Sequence, residues 1–405
     1  MAVGKDYFPE MYPVPGFKLG TTSAGIKRPG RNDLVVMEAV VGSTVAGVFT
    51  KNAFCAAPVQ LTKAHMAVAE SRYFVTNTGN ANAGTGERGR VDAKTVCDAV
   101  AEIAGVTTDA ILPFSTGVIG EPLPVKIITA ALPAAYAALS ESGWDDAATG
   151  ILTTDTRPKG ASVQLKLEGQ TVTITGIAKG SGMIKPNMAT MLSYVATDVV
   201  VEPILLEQLV SSAVDASFNR ITVDGDTSTN DCSMLVATGT SGVEFTGLSD
   251  TEQSLFTEHL NQLFLSLAQQ IVQDGEGATK FVAVEVSGGK NSEESLAVAY
   301  TVAESPLVKT ALFASDPNWG RILAAIGRAD INDLDVDKVR VYLDEVLIAD
   351  NGARAVSYLE EDGQAVMNQE TLSIRIMLNR GDVMETVWTT DLSHDYVKIN
   401  AEYRT

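Results

Sequence analysis

The 405-residue chain holds 50 acidic and 30 basic residues, a formal charge of −20, which argues against a nucleic-acid partner, since phosphate backbones need a basic face. The surplus acid implies a well-solvated surface with some capacity to steer a cationic substrate. Three cysteines, Cys55, Cys97 and Cys232, are odd in number and far apart, which fits neither a metal site nor a disulfide framework and points to a reducing compartment. The length is that of two or three domains, enough to bury a large core. No segment approaches a spanning apolar run, and residues 1–17 carry acids and prolines where a signal peptide is apolar. The expectation is a soluble cytoplasmic protein with no membrane partner.

In chain order, residues 34–41 and 43–49 are strand-like runs beside a turn-prone stretch at 27–33, the look of a hairpin opening a sheet. RYFVTN at 72–77 is another short run. Residues 77–90 are then dense in glycine and asparagine; such a loop can cradle a phosphate or carboxylate, but it lacks the lysine and helix-entry spacing of a P-loop, and turn formation is its simpler role. Val96, Val100, Ile103 and Ala104 recur at helical spacing, so residues 92–104 form a core-facing helix. Next come Ser115, Thr116 and Gly117. A Thr-Gly pair alone marks a turn, whereas beside a nucleophile its hydroxyl and amide are two donors for an oxygen that turns negative. The alanine-rich residues 127–139 read as a helix. Thr153, Thr154, Asp155 and Thr156 cluster short polar side chains ahead of Pro158, as in a turn made by Asp155.

Residues 171–175 alternate or branch at Cβ like a strand, and the pattern breaks in KGSGMIKPNMATML at 179–192, where Gly180, Gly182 and Pro186 shape a loop. Apolar residues resume after Ala189, so Thr190 opens a strand entering the core. A threonine hydroxyl is a poor nucleophile without a base. The three histidines, His65, His259 and His394, lie in no Gly-rich or Ser/Asp-rich context, and no GxSxG elbow occurs. Cutting the Ala189–Thr190 bond supplies a base of another kind: a free α-amine, pKa about 7.7 to 8.0, beside the hydroxyl of Thr190.

Further on, Pro203 starts a helix with Leu205, Leu206, Leu209, Val210, Ala213 and Val214 on one face. ITVDGDTSTNDCS at 221–233 resembles a calcium loop only loosely, lacking the terminal bidentate glutamate, and reads as a strand and a polar turn near the site. Ser249 and Glu252 have capping-box spacing ahead of the longest helical pattern, which stops at Asp274 and Gly275. Glu276 follows between two glycines. Residues 281–286, 339–348, 372–378 and 384–388 are strand-like, 292–303 helical, and SDPNWGR at 315–321 suits the cap of a helix near Trp319.

KGSGMIKPNMATML resembles the self-cleaving segment of the ornithine acetyltransferases, or bifunctional glutamate N-acetyltransferases, of arginine biosynthesis. NTGNANAGTG at 77–86, STGVIG at 115–120, QDGEGATKF at 273–281, SDPNWGRI at 315–322 and YVKINAEYRT at 396–405 resemble the same family, so the likeness runs through nearly the whole chain. It implies an α/β fold, a four-layer αββα sandwich similar in outline to N-terminal nucleophile hydrolases, and cleavage into chains 1–189 and 190–405 that stay together and pair into an α2β2 assembly. It implies Thr190 as nucleophile, Thr116 and Gly117 as oxyanion hole, and Thr153 (chosen over Thr154), Lys179, Glu276, Asn400 and Thr405 as substrate contacts. Charge complementarity suits Lys179 to a substrate carboxylate and Glu276 to an ammonium. The implied reaction is ping-pong transfer of acetyl from N2-acetylornithine to glutamate with no metal and no bound cofactor, acetyl-CoA being a further donor in some members. The competing readings are an N-terminal-nucleophile aminopeptidase and a non-enzymatic amino-acid sensor.

Overall fold

In the strand Leu34–Ala39, Val35, Met37 and Ala39 face one apolar cluster while Leu34 and Val36 face another. A strand apolar on both faces must be covered on both. The computed structural model, which describes residues 2–27, 29–185 and 191–403, shows how. The strand belongs to a four-stranded sheet ordered Phe17–Thr22, Leu34–Ala39, Tyr73–Asn80, Ile111–Val118. Its outer face lies under helices Gly86–Ala104 and Val125–Ala137, packed through Val96, Val100, Ile128 and Leu132. Its inner face meets a five-stranded sheet ordered Thr44–Phe49, Cys232–Ala237, Leu192–Thr197, Gln170–Lys179, Lys159–Leu167. Phe74 and Phe114 set against Tyr194 edge-on, and the Tyr194 hydroxyl joins the sheets through a 2.7 Å hydrogen bond with Thr76 Oγ1. Helices Pro203–Ala216 and Asp250–Gln273 cover the far side. The expected αββα order of layers is therefore present.

Local signals hold where they are stereochemical. Ser249 and Glu252 cap each other, Pro203 sits in the first helical turn, and the Asn318 side chain accepts from Arg321 N at the head of Trp319–Gly327. Three readings change. The run Leu34–Ala39 pairs antiparallel with Phe17–Thr22, but Thr44–Phe49 crosses to the second sheet and pairs with Cys232–Ala237, a choice that alternation alone does not encode. The second helix begins at Gly86 rather than residue 92, because its first turns are polar and carry no apolar period. Residues 339–348 divide into Arg340–Leu343 and Val346–Asp350, a hairpin turning at Asp344 with φ of 47°.

Beyond the sandwich lies a seven-stranded sheet built on Phe281–Gly289, Thr371–Met377 and Val383–Thr390, with helices Ser292–Ala303, Pro306–Phe313 and Trp319–Gly327 on one face and a core of its own. The short strand Ile221–Thr222 completes its edge, and Trp388 packs into the sandwich core. Among the described residues no helix is long and apolar enough to cross a membrane.

Candidate active site

Antiparallel pairing of Gln170–Lys179 with Leu192–Thr197 places Lys179 opposite Leu192, so the chain on either side of residues 186–190 returns to adjacent strands. Ala189 and Thr190 lie outside the described residues, as does Thr405; their nearest described neighbours, Met191 and Tyr403, both line a cavity of about 340 Å3. Thr116, Gly117, Thr153, Lys179, Glu276 and Asn400 line the same cavity. Every expected site residue that the structure describes is thus brought together from segments up to 284 residues apart (116 to 400).

Thr116 and Gly117 end the strand Ile111–Val118, which runs parallel to Tyr73–Asn80. Gly117 has φ of 133°, and a Cβ there would stand 2.3 Å from the Gly79 carbonyl carbon, so this position needs glycine. Ser115 Oγ donates to Asn77 Oδ1 at 2.6 Å, and Asn230 Nδ2 donates to Ser115 O at 2.9 Å and Ala81 O at 2.6 Å, pinning the strand end from two sides. In the Asn-rich segment, Asn77 Nδ2 donates to Asn80 O and Asn80 Oδ1 accepts from Asn82 N, which is turn formation.

Lys179 Nζ donates to Thr116 Oγ1 at 3.3 Å. With that oxygen accepting from an ammonium, the threonine's own hydrogen is left to point elsewhere. Burial pushes the Lys179 pKa down against the opposing pull of Asp155 and Asp231. Across the cavity, burial pushes the Glu276 carboxyl up, while hydrogen bonds from Thr154 and Asn400 favour its ionised form. Asn400 Nδ2 reaches Glu276 Oε2 at 2.7 Å. The carboxylate comes so close to the 179–182 loop that a Cβ on Gly182 would lie 2.3 Å from it. Thr153 and Thr154 both line the cavity, with the Thr154 hydroxyl turned to Glu276. The helix His394–Ala401 and Tyr403 close one side, held by Lys27 Nζ donating to Tyr403 O at 3.0 Å.

Ser228, Asn230 and Asp231 also line the cavity. The polar turn at 221–233 signalled a loop near the site; which residues face the cavity follows from the parallel pairing of Cys232–Ala237 with Leu192–Thr197. Among the described residues no group of three or more His, Cys, Asp or Glu is arranged to hold a metal. The cavity combines a buried cation, a buried carboxylate and hydroxyl donors in a space suited to a small zwitterion.

The ArgJ family profile matches residues 18–405. The chain is 61% identical over 408 aligned residues to the arginine biosynthesis bifunctional protein ArgJ of Pseudomonas fluorescens (strain Pf0-1), covering 100% of both chains. Among solved structures, the ArgJ protein of Bacillus halodurans is 34% identical, with 51% of this chain and 96% of that chain covered and a TM-score of 0.48. The ornithine acetyltransferase of Mycobacterium tuberculosis, solved in complex with ornithine, is 30% identical, with 44% and 93% covered and a TM-score of 0.38.

Proposed function

The chain belongs to the ArgJ family of arginine-biosynthesis enzymes, and from that premise we propose that it moves an acetyl group from N2-acetylornithine to glutamate through an acetyl ester on Thr190. The observation that carries this reading is one cavity gathering Thr116 and Gly117, the oppositely charged Lys179 and Glu276, and the residue that follows Thr190 in the chain.

In maturation the Thr190 hydroxyl oxygen attacks the Ala189 carbonyl carbon; the C–N bond breaks as the nitrogen takes up the proton that the hydroxyl gives up, and water hydrolyses the resulting ester. Chain 1–189 then ends in a carboxylate and chain 190–405 begins with a free amine. The two remain together because Thr44–Phe49 and Gln170–Lys179, from one product, flank Cys232–Ala237 and Leu192–Thr197, from the other, within one sheet. Such pairs associate as α2β2.

In turnover the Thr190 amine accepts the hydroxyl proton while the oxygen attacks the acetyl carbonyl of N2-acetylornithine. Thr116 Oγ–H and the Gly117 amide hold the oxyanion, with the Lys179 ammonium on Thr116 strengthening that donor. The amide C–N bond breaks, the α-amine leaves with the proton, and ornithine departs. Glutamate enters the same site, its amine attacks the acetyl ester, and N-acetylglutamate leaves with Thr190 restored. Lys179 faces the α-carboxylate common to both substrates, Glu276 faces ammonium charge, and Thr153, Asn400 and Thr405 complete the contacts.

The test is an acetyl-exchange assay with purified protein. Formation of N-acetylglutamate from N2-acetylornithine and glutamate supports the reading; release of amino acids from short peptides without transfer supports a hydrolase instead. Acetyl-CoA in place of N2-acetylornithine decides whether a thioester loads the same threonine.

A further inference from the structure

Next in sequence to the cavity residues lies a buried ion triad. The side chains of Lys159, Asp155 and Asp274 are all 0% exposed, with Lys159 Nζ 2.7 Å from Asp155 Oδ1 and 2.6 Å from Asp274 Oδ2. A buried lysine between carboxylates is weak as a source of stability, because desolvating the three charges offsets most of their attraction. Such a group fixes geometry instead when its remaining lone pairs are all used. Asp155 accepts from Thr153 N at 3.0 Å and Gly180 N at 2.7 Å. The Asp274 carboxylate accepts from Thr156 N at 3.0 Å and from the Thr156 hydroxyl, and the Asp274 carbonyl accepts from Ser181 Oγ at 2.6 Å. Glu276 N then donates to Ser181 O at 2.9 Å.

These bonds join three stretches of chain, around residues 153–157, 179–182 and 274–276. Each carries one of the cavity residues Thr153, Lys179 and Glu276. The strand end that carries Thr116 and Gly117 is held by other contacts, from Asn77 and Asn230 to Ser115, and the two sets meet where Lys179 Nζ donates to Thr116 Oγ1 at 3.3 Å. The backbone of the donors that would face the reacting carbonyl therefore has supports of its own, while the Thr116 hydroxyl shares one hydrogen bond with the wall that carries Lys179.

We propose that Lys159 is a positioning residue: through Asp155 and Asp274 it sets the spacing of Thr153, Lys179 and Glu276, and so the affinity for both substrates, while leaving in place the backbone that carries the oxyanion donors. The inference rests on the substrate reading given above. Lys159→Met alone strands two buried carboxylates and endangers folding. Lys159→Met/Asp274→Asn keeps the local net charge of the triad, and the Asp155 carboxylate that remains still accepts from Thr153 N and Gly180 N and still faces the Lys179 ammonium. In that double variant chain cleavage and melting temperature should stay near wild type, KM for glutamate and for N2-acetylornithine should both rise about tenfold, and kcat should stay within about threefold. Thr156→Val, at an exposed residue that donates to Asp274, should raise both KM values about threefold without touching the buried charges. KM values that stay at wild type in both folded variants overturn the proposal, as does a fall in kcat at constant KM. A wild-type protein that exchanges no acetyl group is a different result, which removes the substrate reading itself.

Discussion

The sandwich and the seven-stranded sheet use the same residue types to different ends. In Leu192–Thr197 and Cys232–Ala237 every residue is buried, since a second sheet covers one face and helices the other. In Thr371–Met377 burial alternates, with Leu372, Ile374 and Ile376 under helices and Ser373 and Arg375 part-exposed on the opposite face. The doubly covered strands carry the cavity at their ends, where burial strengthens the interaction of the charged groups that line it. The singly covered sheet supplies support: Asp391, just beyond its strand Val383–Thr390, accepts from Thr279 N and Lys280 N and so anchors the loop that follows Glu276. The cavity belongs to the doubly covered region and the placement of one of its walls to the singly covered one.

Perturbations should sort accordingly, the doubly covered region giving the larger effects. Thr190→Ala is expected to leave one uncut chain and to lower acetyl exchange by about a thousandfold or more, measured by mass spectrometry and steady-state kinetics. Glu276→Gln keeps the shape of a buried side chain but removes its charge, and the KM for N2-acetylornithine should rise roughly thirtyfold, about 2 kcal/mol, by initial-rate assay. The pH profile adds a sharper check. Activity should fall on the acid side as the Thr190 amine takes up a proton near pH 7.7 to 8.0, the value of about a free α-amine. On the alkaline side it should fall below the ordinary lysine range, since burial depresses the Lys179 pKa and its ammonium is lost early. Lys179→Arg, which keeps its charge, should abolish the alkaline limb and leave the acid limb in place.

Stability should follow the same division. Tyr194→Phe removes the buried bond to Thr76 between the two sheets and should cost about 1 to 2 kcal/mol in urea melts. Arg375→Ala breaks solvent-exposed ion pairs with Glu285 and Glu345, a hydrogen bond to Asp344 O and a contact with the Tyr342 ring on the open face, and should cost less than about 1 kcal/mol. A larger loss at Arg375 than at Tyr194 would reverse the comparison.

What the sequence made legible was local. Pro203, Ser249 with Glu252, and Asn318 mark helix starts through stereochemistry within a few residues, and each is where the pattern placed it. Thr116, Gly117, Lys179, Glu276 and Asn400 were named from family resemblance, and the fold gathers them in one cavity. Asn230 left no such mark, since its value lies in reaching Ser115 O and Ala81 O across a strand pairing that no local pattern encodes. Asp155 and Asp274 read as turn and helix-end residues and Lys159 carries no local signal, and packing alone brings the lysine within 3 Å of both carboxylates. The seven-stranded sheet was hidden for a related reason: its strands have the same alternation as any half-buried sheet, and nothing in the period says which core they join.

The measurement closest to the centre of the account is mass spectrometry of protein incubated with N2-acetylornithine in the absence of glutamate, then quenched in acid. Two polypeptides are expected, the second beginning at Thr190 and bearing one acetyl group that glutamate removes. An intact chain that still exchanges acetyl groups, or a cleaved one that turns over while its Thr190 fragment never gains the acetyl mass, would contradict it.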